Sequence, residues 1–339
     1  MNRIKKMAAM LMVMAMLAFT VTGCKKEADN SAQNTNNPSE AVKYDLNVAA
    51  LKGPTGIGLV QLMKNNKDGV AKNNYTFNIA ATADVFTADL LKGDVQIAAL
   101  PCNAAATLYN KSNGKIQVLG INTLGVLYIM DTGKSVNSVA DLKGKTIYTT
   151  GKGTTPEYTL RHLLKTAGLD PDKDVTIEFK SEAAEVATIM AQSSEEVIAM
   201  LPQPYVTTVQ MNNSKARVAL DVTAEWEKLE GSESTVVTGV IVVNTEYYKN
   251  NKAAVEQFME EYKTSVDYVN ANVDSAAELV EEFDIFKAAV AKKAIPNCNI
   301  TYVTGSEMKT KVSKYLQVLY DENPAAIGGK MPGDDFYIN

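Results

Sequence analysis

Thr154, Thr155 and Glu157 stand close together in the segment Gly151-Lys152-Gly153-Thr154-Thr155-Pro156-Glu157, and their chemistry is that of a polar binding loop. A helix that starts here leaves its first backbone N–H groups unpartnered. With the two hydroxyls, these groups offer donors to a small polar or anionic ligand. Glu157 falls in the first turn, where its carboxylate either complements the helix dipole or takes an amine or ring N–H from a ligand. Lys152 offers a cation to an anion, and Tyr158 an aromatic face. Four more short segments have the same character: Gly53-Pro54-Thr55-Gly56, Thr82-Ala83-Asp84, Pro101-Cys102-Asn103 and Gln203-Pro204-Tyr205. Any one of them alone is ordinary turn chemistry with Thr or Asn as a helix cap. Together they define the candidate binding residues, with Thr154 and Thr155 on one side and Asn103 and Thr55 facing them. Tyr158 and Tyr205 either flank an aromatic ring of the ligand or pack the surfaces around it.

The elements that must hold these segments follow from periodicity. Thr146–Thr150 is β-branched and aromatic, whereas Leu160, Leu163, Leu164 and Ala167 have helical spacing with Gly168 as a stop. The same strand–loop–helix order places strands at Tyr44–Leu51, Tyr75–Ala80, Val95–Leu100, Ile116–Ile121 and Val126–Met130. It restarts after Val139, with strands at Val175–Phe179, Val197–Leu201 and Ala216–Val222. Helices are expected at Ile57–Asn65, Ala104–Lys111, Ala183–Ala191, Val206–Asn212, Thr245–Asn270, Ser275–Phe283, Ile285–Lys292 and Ser306–Glu322. Residues 223–235 receive no element, and Gly328–Asn339 reads as a Gly/Pro/Asp-rich tail. Near-continuous apolar strands alternating with short helices indicate an α/β architecture of mostly parallel sheets covered on both faces. In such sheets ligands bind beyond the carboxyl ends of the strands, where all five segments fall. Two lobes are expected, 44–134 with 238–339 and 135–237. Crossings near Gly133–Val139 and Ser234–Val240 make a hinge.

The start of the chain has a different purpose. A basic opening (Arg3, Lys5, Lys6), an apolar run from Met7 to Val21, then Gly23-Cys24, describe a secretory signal at 1–23. Cys24 resembles the lipobox cysteine of bacterial lipoproteins, which is acylated and becomes the mature N-terminus. Residues 24–43 are then a polar tether with a reach on the order of 25 Å. Formal net charge is −5 with no basic stripe, which argues against nucleic acid as a partner. Cys102 and Cys298 read as two separate buried thiols, with a disulfide between them as the alternative in an exported protein. No cysteine or histidine cluster suggests a metal, and no cofactor motif survives inspection. Gly144-Lys145-Thr146 lacks the earlier Gly of a phosphate-binding loop and precedes a strand, and Gly56-Ile57-Gly58 lacks the third Gly of a dinucleotide fingerprint. His162 is the single histidine and lies beside Leu163-Leu164 as a structural residue, so catalysis has little to stand on.

Three segments carry a family resemblance. Asp141-Leu142-Lys143-Gly144-Lys145-Thr146, Gly151–Leu169 and Met200-Leu201-Pro202-Gln203-Pro204-Tyr205 resemble the NitT/TauT group of ABC-transporter solute-binding proteins, which bind sulfonates, nitrate and thiamine precursors. The resemblance implies a type II periplasmic-binding fold, and a monomeric lipoprotein outside the cell membrane that passes a small molecule to a permease and its ATPase. It implies no enzymatic activity; the alternatives of another class are the pyrimidine-synthesising branch that shares the fold and a sensor lipoprotein that never meets a permease. Glu157, Tyr158 and Tyr205 favour a heteroaromatic or amine-bearing solute of the thiamine-precursor type. A sulfonate or nitrate anion is the alternative.

Overall fold

The protein is described by a computed structural model over residues 42–231 and 234–338. The signal segment, Cys24 and the tether up to residue 41 lie outside the described residues. Among the described residues, eleven strands form two sheets. The first contains β1 (Asp45–Leu51), β2 (Asn74–Ala80), β3 (Ile97–Pro101), β4 (Ile116–Leu124), β10 (Val237–Asn244) and β11 (Ile300–Val303), in the order β11-β4-β10-β3-β1-β2. The second contains β5 (Leu127–Asp131), β6 (Thr146–Thr149), β7 (Thr176–Phe179), β8 (Ile198–Pro202) and β9 (Arg217–Asp221), in the order β7-β6-β8-β5-β9.

Each sheet has a parallel half, β2-β1-β3 and β7-β6-β8, beside which a strand from the other end of the chain segment is inserted antiparallel. In the first sheet that strand is β10, and in the second it is β5. Because β5 pairs with β8 and β9, the first passage between sheets falls at residues 125–126 and not at the expected Gly133–Val139. The hydrophobic run Val126–Met130 gives no sign of which sheet it joins, since both faces of such a strand are buried. The two passages touch one another. A Cβ on Gly125 would lie 1.7 Å from the Thr223 hydroxyl oxygen and 3.2 Å from Val236 Cβ, so only glycine lets the chains pass here.

Helices cover both faces: α1 (Pro54–Ile57), α2 (Val60–Lys67), α3 (Asp84–Lys92), α4 (Cys102–Ser112), α5 (Thr155–Thr166), α6 (Ala183–Gln192), α7 (Tyr205–Asn212), α8 (Val222–Glu230), α9 (Thr245–Asn250), α10 (Lys252–Ala271), α11 (Val273–Glu282), α12 (Ala288–Ala294) and α13 (Gly305–Glu322). The expected helix Ile57–Asn65 is broken into α1 and α2 at Gly58, where a Cβ would meet the Tyr262 hydroxyl at 2.6 Å. The long helix expected at Thr245–Asn270 is two, parted at Asn251, whose side chain donates back to the Tyr247 carbonyl. The stretch without an assigned element contains α8, capped by Asp221, whose carboxylate accepts from the Thr223 and Ala224 N–H groups. The tail is not loose: Phe336 is fully buried against Tyr109, and Tyr337 bridges to Val118.

One apolar core runs from the first sheet into the second. It joins Leu100, Val118 and Val240 to Ile147, Leu160, Trp226 and Tyr315. Among the described residues no helix is long and apolar enough to cross a membrane.

Candidate functional site

The loops at the carboxyl ends of β1, β3, β6 and β8 are where the two sheets meet. After β1, Gly53 takes φ 128° and Pro54 opens α1, a turn that L side chains rarely adopt. Thr55 donates its hydroxyl to the Leu51 carbonyl at 3.3 Å, and its own carbonyl accepts from the Asn122 carboxamide at 3.2 Å. After β3, Pro101 turns the chain into α4, and Asn103 lies in the first turn with 5% of its surface exposed. In the second sheet, the 151–154 loop feeds α5 with Pro156 at its start. After β8, Gln203 is fixed by its side-chain oxygen, which accepts from the Thr207 N–H and hydroxyl at 3.3 and 2.9 Å.

One hydrogen bond joins these loops across the sheets. The Thr155 hydroxyl donates to the Asn103 side-chain oxygen at 2.8 Å, with both residues buried. Asn103 donates in turn to the Ala326 carbonyl at 3.3 Å. Asn103 and Thr155, expected to face one another across a cleft, are in direct contact. On the far side of the loops, the Tyr205 ring meets Phe286 edge-on at 5.6 Å, and the Tyr128 hydroxyl donates to the Asn297 carbonyl at 3.1 Å. Behind Tyr205, between α6 and α7, lies a cavity of about 460 Å³.

The other candidate residues are distributed as follows. Glu157 is buried, and its carboxylate is already shared: one oxygen accepts from Arg161 Nε at 2.8 Å, the other from the Gly153 N–H at 2.6 Å. Thr154 precedes α5 but turns its hydroxyl to the Gly151 carbonyl, leaving the helix without a side-chain cap. The exposed Lys152 places its ammonium over the Phe179 ring, 5.8 Å from the centroid. Tyr158 is buried and accepts from Asn323 at its hydroxyl. Thr82 and Asp84 are exposed beyond the edge strand β2, apart from the central loops. Cys102 is fully enclosed in the apolar core, and burial pushes its thiol far above the ordinary range. Cys298 is likewise free and buried, its thiol pushed up to about 12. Among the described residues no group of His, Cys, Asp and Glu is placed to hold a metal ion.

Residues that sequence reasoning did not select line the same junction: Asn122, Tyr315, Asn323 and Phe286. They come from the end of β4, from α13 and from loops before α12 and after α13. No local motif marks them, because only the topology brings those elements to the loops.

Residues 115–276 match the model of the family described as NMT1/THI5 like. No curated protein sequence matches significantly. Among solved structures, an ABC transporter from Parabacteroides distasonis is similar with a TM-score of 0.72 at 23% identity, covering 87% of this chain and 98% of that one. The periplasmic aliphatic sulphonate binding protein SsuA from Escherichia coli has a TM-score of 0.70 at 14% identity, covering 87% and 92%. A Candida albicans protein with the generic periplasmic binding protein fold, CA3427, has a TM-score of 0.54 at 16% identity, covering 86% and 92%. These neighbours agree with the periplasmic-binding fold that the resemblance implies. The chain has the periplasmic binding protein fold, and its residues 115–276 carry the NMT1/THI5 like family pattern.

Proposed function

We propose that this chain is the extracytoplasmic solute-binding component of an ABC importer, tethered to the cell membrane through a lipidated Cys24. Its two lobes follow the two sheets. They rotate together on a small molecule held among the loops after β1, β3, β6 and β8, and the closed form delivers it to a permease and ATPase. The observation that carries this reading is the Thr155–Asn103 hydrogen bond, which joins a loop of one sheet to a loop of the other at the carboxyl ends of their strands.

The side chains of these loops are neutral: the hydroxyls of Thr55 and Thr155 and the carboxamides of Asn103 and Gln203. Each is buried and hydrogen-bonded within the protein, so a solute engages them by replacing those bonds as the loops part and close. These groups suit a small polar heteroaromatic compound of thiamine-precursor type, with the Tyr205 ring at its edge. Glu157 enters this reading as the brace of its own loop through Arg161 and Gly153, and not as the partner of an amine. A sulfonate- or nitrate-type anion is the second reading, favoured by the uncapped start of α5. Mass spectrometry of the small molecule released from purified protein tests the ligand class. Calorimetry with that molecule, paired with small-angle scattering, tests closure. Saturable binding with a smaller radius of gyration is expected, and binding without compaction sinks the lobe movement.

A further inference from the structure

α5 is attached to the first lobe along its whole length. Thr155 donates to Asn103 of α4, Tyr158 accepts from Asn323, the Thr159 and Tyr315 hydroxyls share a hydrogen bond of 3.1 Å, and Lys165 pairs with Glu322 at the end of α13. His162 sits inside this row. Its Nε2 lies 2.7 Å from a Glu230 oxygen and its Nδ1 3.5 Å from a Glu322 oxygen, while its ring packs on Trp226 with centroids 4.8 Å apart. The His162 side chain is 14% exposed and that of Glu322 11%, whereas Glu230 and Lys165 are 28% and 50% exposed, so the cluster lies at the rim of the interface.

The groups facing His162 can be named element by element. From α8 come Glu230 and the Trp226 ring; Glu227 is engaged with the Thr235 hydroxyl. From α13 come Glu322 and the Tyr315 hydroxyl, which is shared with Thr159. From α5 itself come Lys165, paired with Glu322, and Arg161, paired with Glu157 and Asp172. Both ring nitrogens thus face carboxylate oxygens. Only the imidazolium has a proton on each nitrogen, and a neutral ring leaves one lone pair against a carboxylate. With His162 charged, two cations balance Glu230 and Glu322; with it neutral, one negative charge is left over.

We propose that His162 is a pH-dependent clasp between the lobes: protonated, it ties α5 and α8 of the second lobe to Glu322 of the first, and its deprotonation loosens that tie. This rests on the lobe movement proposed above. Imidazole is the side chain whose ordinary titration crosses the range between pH 5 and 8.

The test measures the distance between lobes in the full chain carrying Cys24→Ser, without added solute. Spin labels are attached at Val70→Cys and Met211→Cys, exposed positions on opposite lobes, and the native Cys102 and Cys298 are buried and unreactive. Pulsed electron resonance at about pH 5.5 and about pH 8 brackets the imidazole range. The wild-type background is expected to shift toward longer distances at the higher pH, with a change of about fivefold in the closed-to-open ratio. His162→Gln, which cannot titrate, is expected to give the same distribution at both. Glu322→Gln gives the same flattening, should the histidine variant fold poorly. A pH response that survives both substitutions overturns the clasp and leaves the lobe movement standing. A single distribution under every condition, including with the co-purifying solute, overturns the lobe movement and the clasp with it.

Discussion

Thr155→Val removes the hydrogen bond that joins the binding loops of the two lobes. Valine keeps the size and branching of threonine and removes only the hydroxyl. The Asn103 side-chain oxygen, now 2.8 Å from its donor, is left inside a junction where both residues are 5% exposed. A buried acceptor stripped of its partner costs about 1–3 kcal/mol, more than the bond's net worth of about 1 kcal/mol. The Asn103 bond to Ala326 remains and holds the orphaned oxygen in place, so a loss of about 2 kcal/mol is expected, equal to about a thirtyfold change in an equilibrium constant. Urea unfolding followed by the fluorescence of Trp226, the single tryptophan and fully buried, reads that loss directly. A cycle with Asn103→Ala separates the pair from the individual residues, with an expected coupling of about 1 kcal/mol. A chain that rests with its lobes apart never makes this bond. A Thr155→Val cost near zero, or strict additivity in the cycle, would therefore refute the claim that the loops meet in the native state.

The remaining expectations concern the surroundings of the junction. Glu157→Gln keeps a hydrogen-bonding group but gives up the charge that holds Arg161 and the Gly153 N–H, so unfolding stability should fall by about 1–2 kcal/mol; an unchanged urea midpoint would contradict the bracing role. Cys102 and Cys298, buried and with thiols raised, should resist a disulfide reagent at about pH 8 in the folded chain and react fully once unfolded; rapid labelling of the native protein by mass spectrometry would contradict their burial. Asp141, Asp170 and Asp174 all titrate below the ordinary aspartate value of 3.8: Asp141 chiefly through the Asn137 and Ser138 N–H groups, Asp170 through Lys173, and Asp174 through the Asp170 N–H. A depressed carboxyl contributes stability above its unfolded value and loses it as pH falls through its folded value. Hydrogen exchange should therefore quicken around residues 137–145 and 170–174 only below about pH 4, and quickening already at neutral pH would argue against these contacts.

How much of this was legible in the sequence depends on how local each determinant is. The strand–loop–helix pairs announce themselves because an apolar run, a small-residue turn and an amphipathic helix are consecutive in the chain. Hence the five loops at 53–56, 82–84, 101–103, 152–158 and 202–205 are legible as strand-to-helix turns, whereas the position of 82–84 beyond the edge strand β2 is not. α8 was missed although Val222, Trp226 and Leu229 have helical spacing, because the preceding strand runs into Val222 and conceals the cap at Asp221. The break at Gly58 is set by Tyr262 and Ile300, which are distant in sequence, and the sheet joined by β5 is set by pairing partners that lie beyond residue 197. The role of Glu157 was ambiguous for the same reason that helix starts favour acids. Both readings predicted an acid in the first turn, and only the positions of Arg161 and Gly153 decided what it holds.

α5 links the binding loops to the charged cluster around His162. α5 is a 12-residue helix whose side chains at 155, 159, 162 and 165–166 repeat every three to four positions, so they lie along one face. A helix of that length spans about 18 Å and moves as a body, because bending it means breaking its own backbone ladder. Its first turn carries Thr155 to Asn103, and its last turns carry His162 and Lys165 to Glu322. Between them the Trp226 and Tyr315 rings, both fully buried with centroids 5.4 Å apart, supply the apolar attachment that the polar row only positions. One helix thus joins the loop that presents Thr155 to the charged cluster around His162 and Glu322.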